Sequence, residues 1–129
     1  MKLWSTAKAD KLFSLWIRER DGWKCQRCGK NFSTNTSQLH TSHFWGRGHS
    51  ATRYSKENCV AACYSCHYWK WEKEKQGEYR DFMLRLLGKK NYAVLERKAH
   101  TTVQRKEAIK ELMGWLVESR ETPVKPLES

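Results

Sequence analysis

Long apolar segments are the first thing this sequence lacks. No run approaches the roughly 20 apolar residues that a membrane-spanning helix needs. The opening stretch, MKLWSTAKADKLF, has no apolar block of the kind found in secretory signal peptides. Proline is scarce, and both prolines fall in the final stretch, ETPVKPLES. We therefore expect no membrane partner and a cytoplasmic location, with a disordered tail over residues 121–129.

Acidic residues are also few, with 14 Asp and Glu against 25 Lys and Arg, which gives a formal net charge of +11. So basic a chain of 129 residues repels itself unless it meets a polyanion, and nucleic acid is the first candidate. The first alternative is a basic surface with no specific partner. A second, weaker alternative is that the partner is an acidic membrane surface, because no basic helix has a clean apolar face.

Apolar spacing and turn residues predict one α+β domain over residues 1–120. A helix over residues 5–20 comes first, followed by a metal-binding core over 23–76. The core contains a β-hairpin within residues 38–53, with its loop at Gly46 and Gly48, and a helix from Tyr64 to Gly77. Further helices fill residues 78–120, with a break at Gly88.

Four of the five cysteines form two Cys-x-x-Cys pairs, Cys25 with Cys28 and Cys63 with Cys66. Two such turns supply the four ligands of a closed, structural zinc site, whose binding is coupled to folding. A redox dithiol is the alternative, but no βαβ pattern surrounds either pair. Cys59 is left over and is expected to be a buried, inert thiol.

Four of the five histidines lie between residues 40 and 67; three of them fall between the two cysteine pairs, and His67 follows directly after Cys66. The order is RERDGWKCQRCG, then SHFWGRGHSATRYSKENCVAACYSCH, then GEYRDFMLRLLG. This segment, roughly residues 11–98, resembles the HNH (His-Asn-His, ββα-metal) endonucleases. Within them it is most similar to the phage recombination-associated NinG/Rap-type proteins and related prophage nucleases.

The resemblance implies a small ββα-metal hairpin-helix core and a metal-dependent DNA endonuclease. The three motif letters fall on His43, Asn58 and His67. His43 is the expected general base, because a neutral imidazole can take a proton from water at cytosolic pH. Asn58 is the expected orienting residue, and His67 is the expected ligand of a catalytic divalent ion. The products would carry a 5′-phosphate and a 3′-hydroxyl.

The chain departs from the pattern just before the general base, where many relatives have Asp or His as a second metal ligand. Here that residue is Ser42, a poor ligand. Strand alternation places His40 on the same face, so His40 is the predicted second ligand, with His49 in the loop as the runner-up. Besides Mn²⁺ or Mg²⁺, imidazole ligands favour Ni²⁺, Co²⁺ or Zn²⁺.

Basic residues near the motif are the predicted DNA contacts, namely Arg47, Arg53 and Lys70. No set of base-reading side chains is evident, so we expect binding through the phosphate backbone and low sequence specificity. A monomer or weak dimer with one site per chain would nick DNA. Two alternatives stay open: a non-catalytic zinc-containing nucleic-acid-binding module, and a nuclease specific for branched DNA or RNA.

Overall fold

A two-stranded antiparallel hairpin lies between helices in the computed structural model, which describes the backbone of residues 2–121 and side chains through residue 119. Apart from Glu121, which ends the last helix, the predicted tail lies outside the described residues. The elements in chain order are α1 (Thr6–Arg20), β1 (Leu39–His43), β2 (Cys59–Cys63), a π-helix (Ser65–Glu74), α2 (Gln76–Ala99) and α3 (Arg105–Glu121). Short 3-10 turns at Ser50–Thr52 and Lys56–Asn58 lie in the loop of the hairpin.

Helix α1 begins and ends where the sequence predicts. The Ser5 hydroxyl accepts a hydrogen bond from the Lys8 backbone N–H at 3.2 Å, which satisfies one of the free donors of the first turn. Ala9, Phe13 and Ile17 are spaced four residues apart and are all buried, so they form the inner face.

The predicted hairpin within residues 38–53 is wrong in its second strand. β1 pairs instead with Cys59–Cys63, in a register that sets Leu39 opposite Cys63 and His43 opposite Cys59. The second strand, CVAAC, is buried on both faces, so it has no apolar–polar alternation for sequence reasoning to detect. Gly46 and Gly48 lie in the wide loop between the strands rather than in a tight turn.

The helix predicted from Tyr64 to Gly77 is π-helical rather than α-helical, over Ser65–Glu74. A π-helix hydrogen-bonds residues five apart, as the Lys75 N–H does to the Lys70 carbonyl. Its buried residues, Cys66 and Trp71, are also five apart. The wider turn therefore lets one inner face carry both a candidate zinc ligand and a large core side chain.

Helix α2 is broken at Gly88, as predicted, because this glycine has φ +81° and ψ 160°. Tyr79 in its first half stacks on Trp71 with ring centroids 4.0 Å apart. Helix α3 packs against α1, where Trp115 meets Phe13 and Trp16. The hairpin thus has α1 and α3 on one side and the π-helix and α2 on the other.

A buried ion pair fixes the end of α1 to the hairpin. Arg20 Nε lies 2.9 Å from Asp21 Oδ1, and both side chains are almost fully buried. Asp21 accepts a hydrogen bond from the Ala61 N–H, and Arg20 donates to the Cys59 carbonyl. Each charge therefore satisfies a backbone group as well as its partner, which offsets the cost of burying it.

No helix within residues 2–121 has the length and apolar character needed to cross a membrane.

Candidate active site and cysteine cluster

The two Cys-x-x-Cys turns come together beside the hairpin. The sulfur atoms of Cys25, Cys28, Cys63 and Cys66 all lie within 4.8 Å of one another. The first turn is closed by a hydrogen bond from the Gly29 N–H to the Cys25 carbonyl, and Gly29 has a positive φ of +80°. Four sulfurs at this spacing could hold a structural zinc ion.

Cys59 lies outside this cluster. Its side chain is buried among the residues that pack α1 against α3. Full burial strongly raises the pKa of its thiol, so the group stays protonated and unreactive.

A cleft of about 310 Å³ runs along β1 between α1 and the π-helix. It brings His67 of the π-helix to His40 and His43 of β1, the three histidines predicted for catalysis and metal binding. Its walls are formed by Asp10, Phe13, Ser14, Arg18, Ser37, Leu39, His40, Thr41, His43, Arg47, His67 and Tyr68. Four of these residues, Asp10, Phe13, Ser14 and Arg18, come from α1, which sequence reasoning did not connect with the site.

His43 stands at the end of β1 with one ring nitrogen fixed. Nε2 lies 2.9 Å from the Arg53 carbonyl, which can only accept, so Nε2 carries the proton and Nδ1 keeps a lone pair. Burial, together with the nearby guanidinium groups of Arg47 and Arg53, lowers the pKa of His43 to about 4. The ring is therefore neutral at pH 7 and able to accept a proton at Nδ1.

Asp10 on α1 binds the side chain of Arg53, the residue whose carbonyl bonds His43. Its two carboxylate oxygens accept hydrogen bonds from Arg53 Nε at 3.1 Å and Nη2 at 2.7 Å. The Tyr54 hydroxyl donates to the same carboxylate at 2.7 Å. Burial alone would raise the pKa of Asp10, but the bonds from Arg53 and Tyr54 lower it below its usual value. Asp10 is thus a fixed negative charge bound to Arg53, the residue whose carbonyl accepts from His43.

His40 and His67 meet across the cleft with their Nδ1 atoms 3.3 Å apart. On the far side of the ring, His67 Nε2 lies 3.3 Å from Glu72 Oε1. A carboxylate at that position keeps the proton on Nε2 and leaves Nδ1 as a possible ligand. Burial lowers the pKa of both His40 and His67, which favours the neutral rings that a metal needs.

Ser42 and His49 do not join this pair. Ser42 is buried, with its hydroxyl 2.7 Å from the Tyr79 hydroxyl on α2. His49 Nδ1 donates to the Ala99 carbonyl at 3.0 Å, and its ring packs against Trp45 and His100. Of the two predicted alternatives for the second ligand, the geometry favours His40.

Asn58 is fully buried at the base of the hairpin loop. Its side-chain oxygen accepts from the Trp45 N–H at 2.8 Å, and its amide nitrogen donates to the carbonyls of Trp45 and Thr52. One side chain therefore ties Trp45 to Thr52, the residue directly before Arg53, whose carbonyl is the hydrogen-bond partner of His43.

The three predicted DNA contacts differ in their surroundings. The Arg47 side chain is 63% exposed at the mouth of the cleft and only loosely paired with Asp10, at 3.7 Å. Arg53 is mostly covered and bound to Asp10 through two nitrogens. Lys70 pairs with Glu74 one turn along the π-helix. Arg47 is the best placed of the three to meet a phosphate.

These observations define an α+β protein with a cysteine cluster able to hold zinc and a histidine-lined cleft beside it. The family model described as "Bacteriophage Lambda NinG protein" matches residues 2–121. The chain therefore belongs to the NinG family. Comparisons with curated proteins and with solved structures find no match.

Proposed function

We propose that this NinG-family chain is a metal-dependent DNA endonuclease with an HNH-type site. The observation that carries the proposal is the meeting of His40, His43 and His67 in one cleft, with the basic side chain of Arg47 at its mouth. The hairpin followed directly by a helix supports a ββα-metal core, with the difference that the helix is π-helical. The four-cysteine cluster beside it would fix the start of that helix through Cys66.

His43 is the proposed general base. Its Nδ1 takes the proton of the attacking water, while the Nε2–H bond to the Arg53 carbonyl holds the ring in one tautomer and orientation. Arg47 binds a phosphate oxygen of the strand being cut, and Asp10 keeps Arg53 in place. Attack on the phosphorus would release the 3′ oxygen and leave a 5′-phosphate and a 3′-hydroxyl.

The His40–His67 pair fits a divalent ion. The two Nδ1 atoms lie 3.3 Å apart, close enough for both to bind one divalent ion. A bound ion would supply Lewis-acid stabilisation to the phosphate and to the leaving oxygen. We propose Mn²⁺ or Mg²⁺ as the catalytic ion. Ni²⁺, Co²⁺ and Zn²⁺ are further candidates, because imidazole ligands shift the preference of a site away from Mg²⁺.

Nicking of supercoiled plasmid tests the proposal. We expect relaxed circles to form only when a divalent ion is added, and to disappear in both His43→Ala and His67→Ala. His100→Ala is the matched control, because His100 is exposed and its ring nitrogen is bonded to the Glu96 carbonyl of its own helix. That variant should nick at the rate of the unmodified protein.

The nuclease proposal is wrong if the purified protein retards DNA in gels but cleaves none of plasmid, branched DNA and RNA with any of these ions. The protein would then be a zinc-containing nucleic-acid-binding module. Cleavage restricted to branched DNA or RNA would keep the site assignments and change the substrate.

A further inference from the structure

A second cavity, of about 390 Å³, adjoins the catalytic cleft. The two share Ser37 and His40, so the His40 ring forms part of the wall between them. The second cavity lies against the cysteine cluster, with Cys63 in its lining. Its other lining residues have no predicted catalytic, metal-binding or DNA-binding role.

The walls of this cavity combine aromatic faces, a cation and an amide. Phe32 and Tyr64 are its aromatic residues, and Tyr64 is 53% exposed. The Lys30 ammonium lies 5.3 Å from the centre of the Phe32 ring. Gln38 adds an exposed side-chain amide that can both donate and accept hydrogen bonds.

We propose that this cavity binds an unpaired nucleobase of single-stranded DNA whose neighbouring phosphate lies in the catalytic cleft. Bases stack on aromatic side chains regardless of sequence, and an amide can bond to their exposed edges. Lys30 is placed to meet the phosphate that follows the base. The assignment of the neighbouring phosphate rests on the proposed function, whereas the binding of a base does not.

The chemistry of the cavity favours a nucleic acid over a protein side chain as occupant. An apolar side chain would use the aromatic walls but gain nothing from the Lys30 ammonium or the Gln38 amide. A nucleotide uses all of them, and the net charge of +11 attracts it. The inferred substrate class is therefore DNA with a single-stranded segment beside the scissile phosphate, rather than continuous duplex.

Fluorescence of 2-aminopurine tests this inference without requiring cleavage. A single-stranded oligonucleotide with one 2-aminopurine is titrated with protein in the His43→Ala background, and stacking should quench its emission. Tyr64→Ala should lower the single-strand affinity roughly ten-fold and remove most of the quenching, since one stacking partner of the base is lost. Tyr64→Phe should restore both.

Trp69→Ala is the matched control, because Trp69 is an exposed aromatic residue of the neighbouring π-helix that lies outside the cavity lining. It should leave affinity and quenching within about two-fold of the parent, well short of the effect of losing a stacking partner. Equal quenching in Tyr64→Ala and its parent, or tighter binding to duplex than to single strand, would overturn the inference. A protein that cleaves none of plasmid, branched DNA and RNA but shows the Tyr64-dependent quenching would lose the proposed function and keep this site.

Discussion

The protonation of His43 is set by burial, by the Arg53 carbonyl and by two neighbouring arginines, with a smaller opposing effect of Asp10. The Arg53 carbonyl fixes the proton on Nε2, and burial with the neighbouring guanidinium groups keeps the ring neutral. A base with a pKa of about 4 is available at every physiological pH but is intrinsically weak. Bound DNA brings phosphates next to the ring, and their charge should raise its pKa toward a more effective value.

The lowered pKa of His43 predicts how cleavage depends on pH. His43 must be neutral to act, so activity is lost only as the pH falls through its pKa. We expect kcat/KM, which reports the free protein, to stay flat from about pH 8 to about pH 5.5, while kcat declines at a higher pH because DNA raises the pKa. Both are measured at saturating Mn²⁺ with zinc content checked at each pH. An acid limb of kcat/KM near the usual histidine pKa of about 6.5 would show an unperturbed histidine and contradict this account.

Asp10→Asn should uncouple Arg53 from His43. The amide keeps the shape but cannot hold both nitrogens of the guanidinium, so the carbonyl partner of His43 becomes less fixed. We expect kcat to fall roughly ten-fold, the size typical of outer positioning residues, with little loss of DNA affinity. Removal of the negative charge should also lower the pKa of His43 further, which an NMR titration of the imidazole measures.

Asp81→Asn is the matched control for charge, because Asp81 is exposed on α2. It should change neither kcat nor the titration. An Asp10→Asn variant with lower thermal stability but unchanged kcat would show that Asp10 is only structural.

The sequence alone indicates the histidines of the candidate site, but not the residues that hold them in place. His40 could be inferred because strand alternation sets it on one face with Ser42. Asp10 could not, because it lies 43 residues before Arg53 in a helix whose spacing explains only its buried face. The one sequence signal for Asp10 is that it is an acidic residue off the buried face of α1, in a chain that has few acidic residues.

The π-helix decides which side chain supports His67. Its five-residue repeat sets Glu72 beside His67 just as it sets Trp71 beneath Cys66. In an α-helix the neighbours would be residues 70 and 71, so α-helical spacing points to Lys70 and misses the carboxylate. The buried strand CVAAC was missed for a similar reason, since its pattern has no period.

Glu72→Ala tests the π-helical pairing. Without the carboxylate, the His67 tautomer is no longer fixed, and we expect the affinity for the catalytic ion to fall about 10- to 100-fold. The measurement is the Mn²⁺ concentration that gives half-maximal nicking, supported by calorimetric Mn²⁺ titration of zinc-loaded protein. Glu74→Ala is the control on the same helix, because Glu74 pairs with Lys70. Equal shifts in the two variants would mean that Glu72 acts only through general charge.

For the whole molecule, the cysteine cluster joins the segment before the hairpin to the helix after it. Cys66→Ser should therefore lose zinc and the cooperative fold together, since metal binding and folding are coupled. Cys59→Ala provides the control, because it removes the remaining cysteine from the core without touching the cluster. We expect about one zinc per chain in the control and a sigmoidal urea transition. A folded, zinc-free Cys66→Ser protein would contradict a structural role for the metal.

The charge of the whole chain predicts how DNA binding responds to salt. Each phosphate neutralised by a cation releases counterions, so the logarithm of the binding constant falls with the logarithm of salt concentration by about 0.9 per duplex contact. Arg47→Ala should reduce that slope by about 1 and weaken binding to all sequences alike, because Arg47 is exposed at the cleft. Arg85→Ala removes the same charge from an exposed position on α2 and should leave the slope unchanged. If both variants reduce the slope equally, the DNA follows the basic surface of the molecule as a whole rather than the cleft that contains His43.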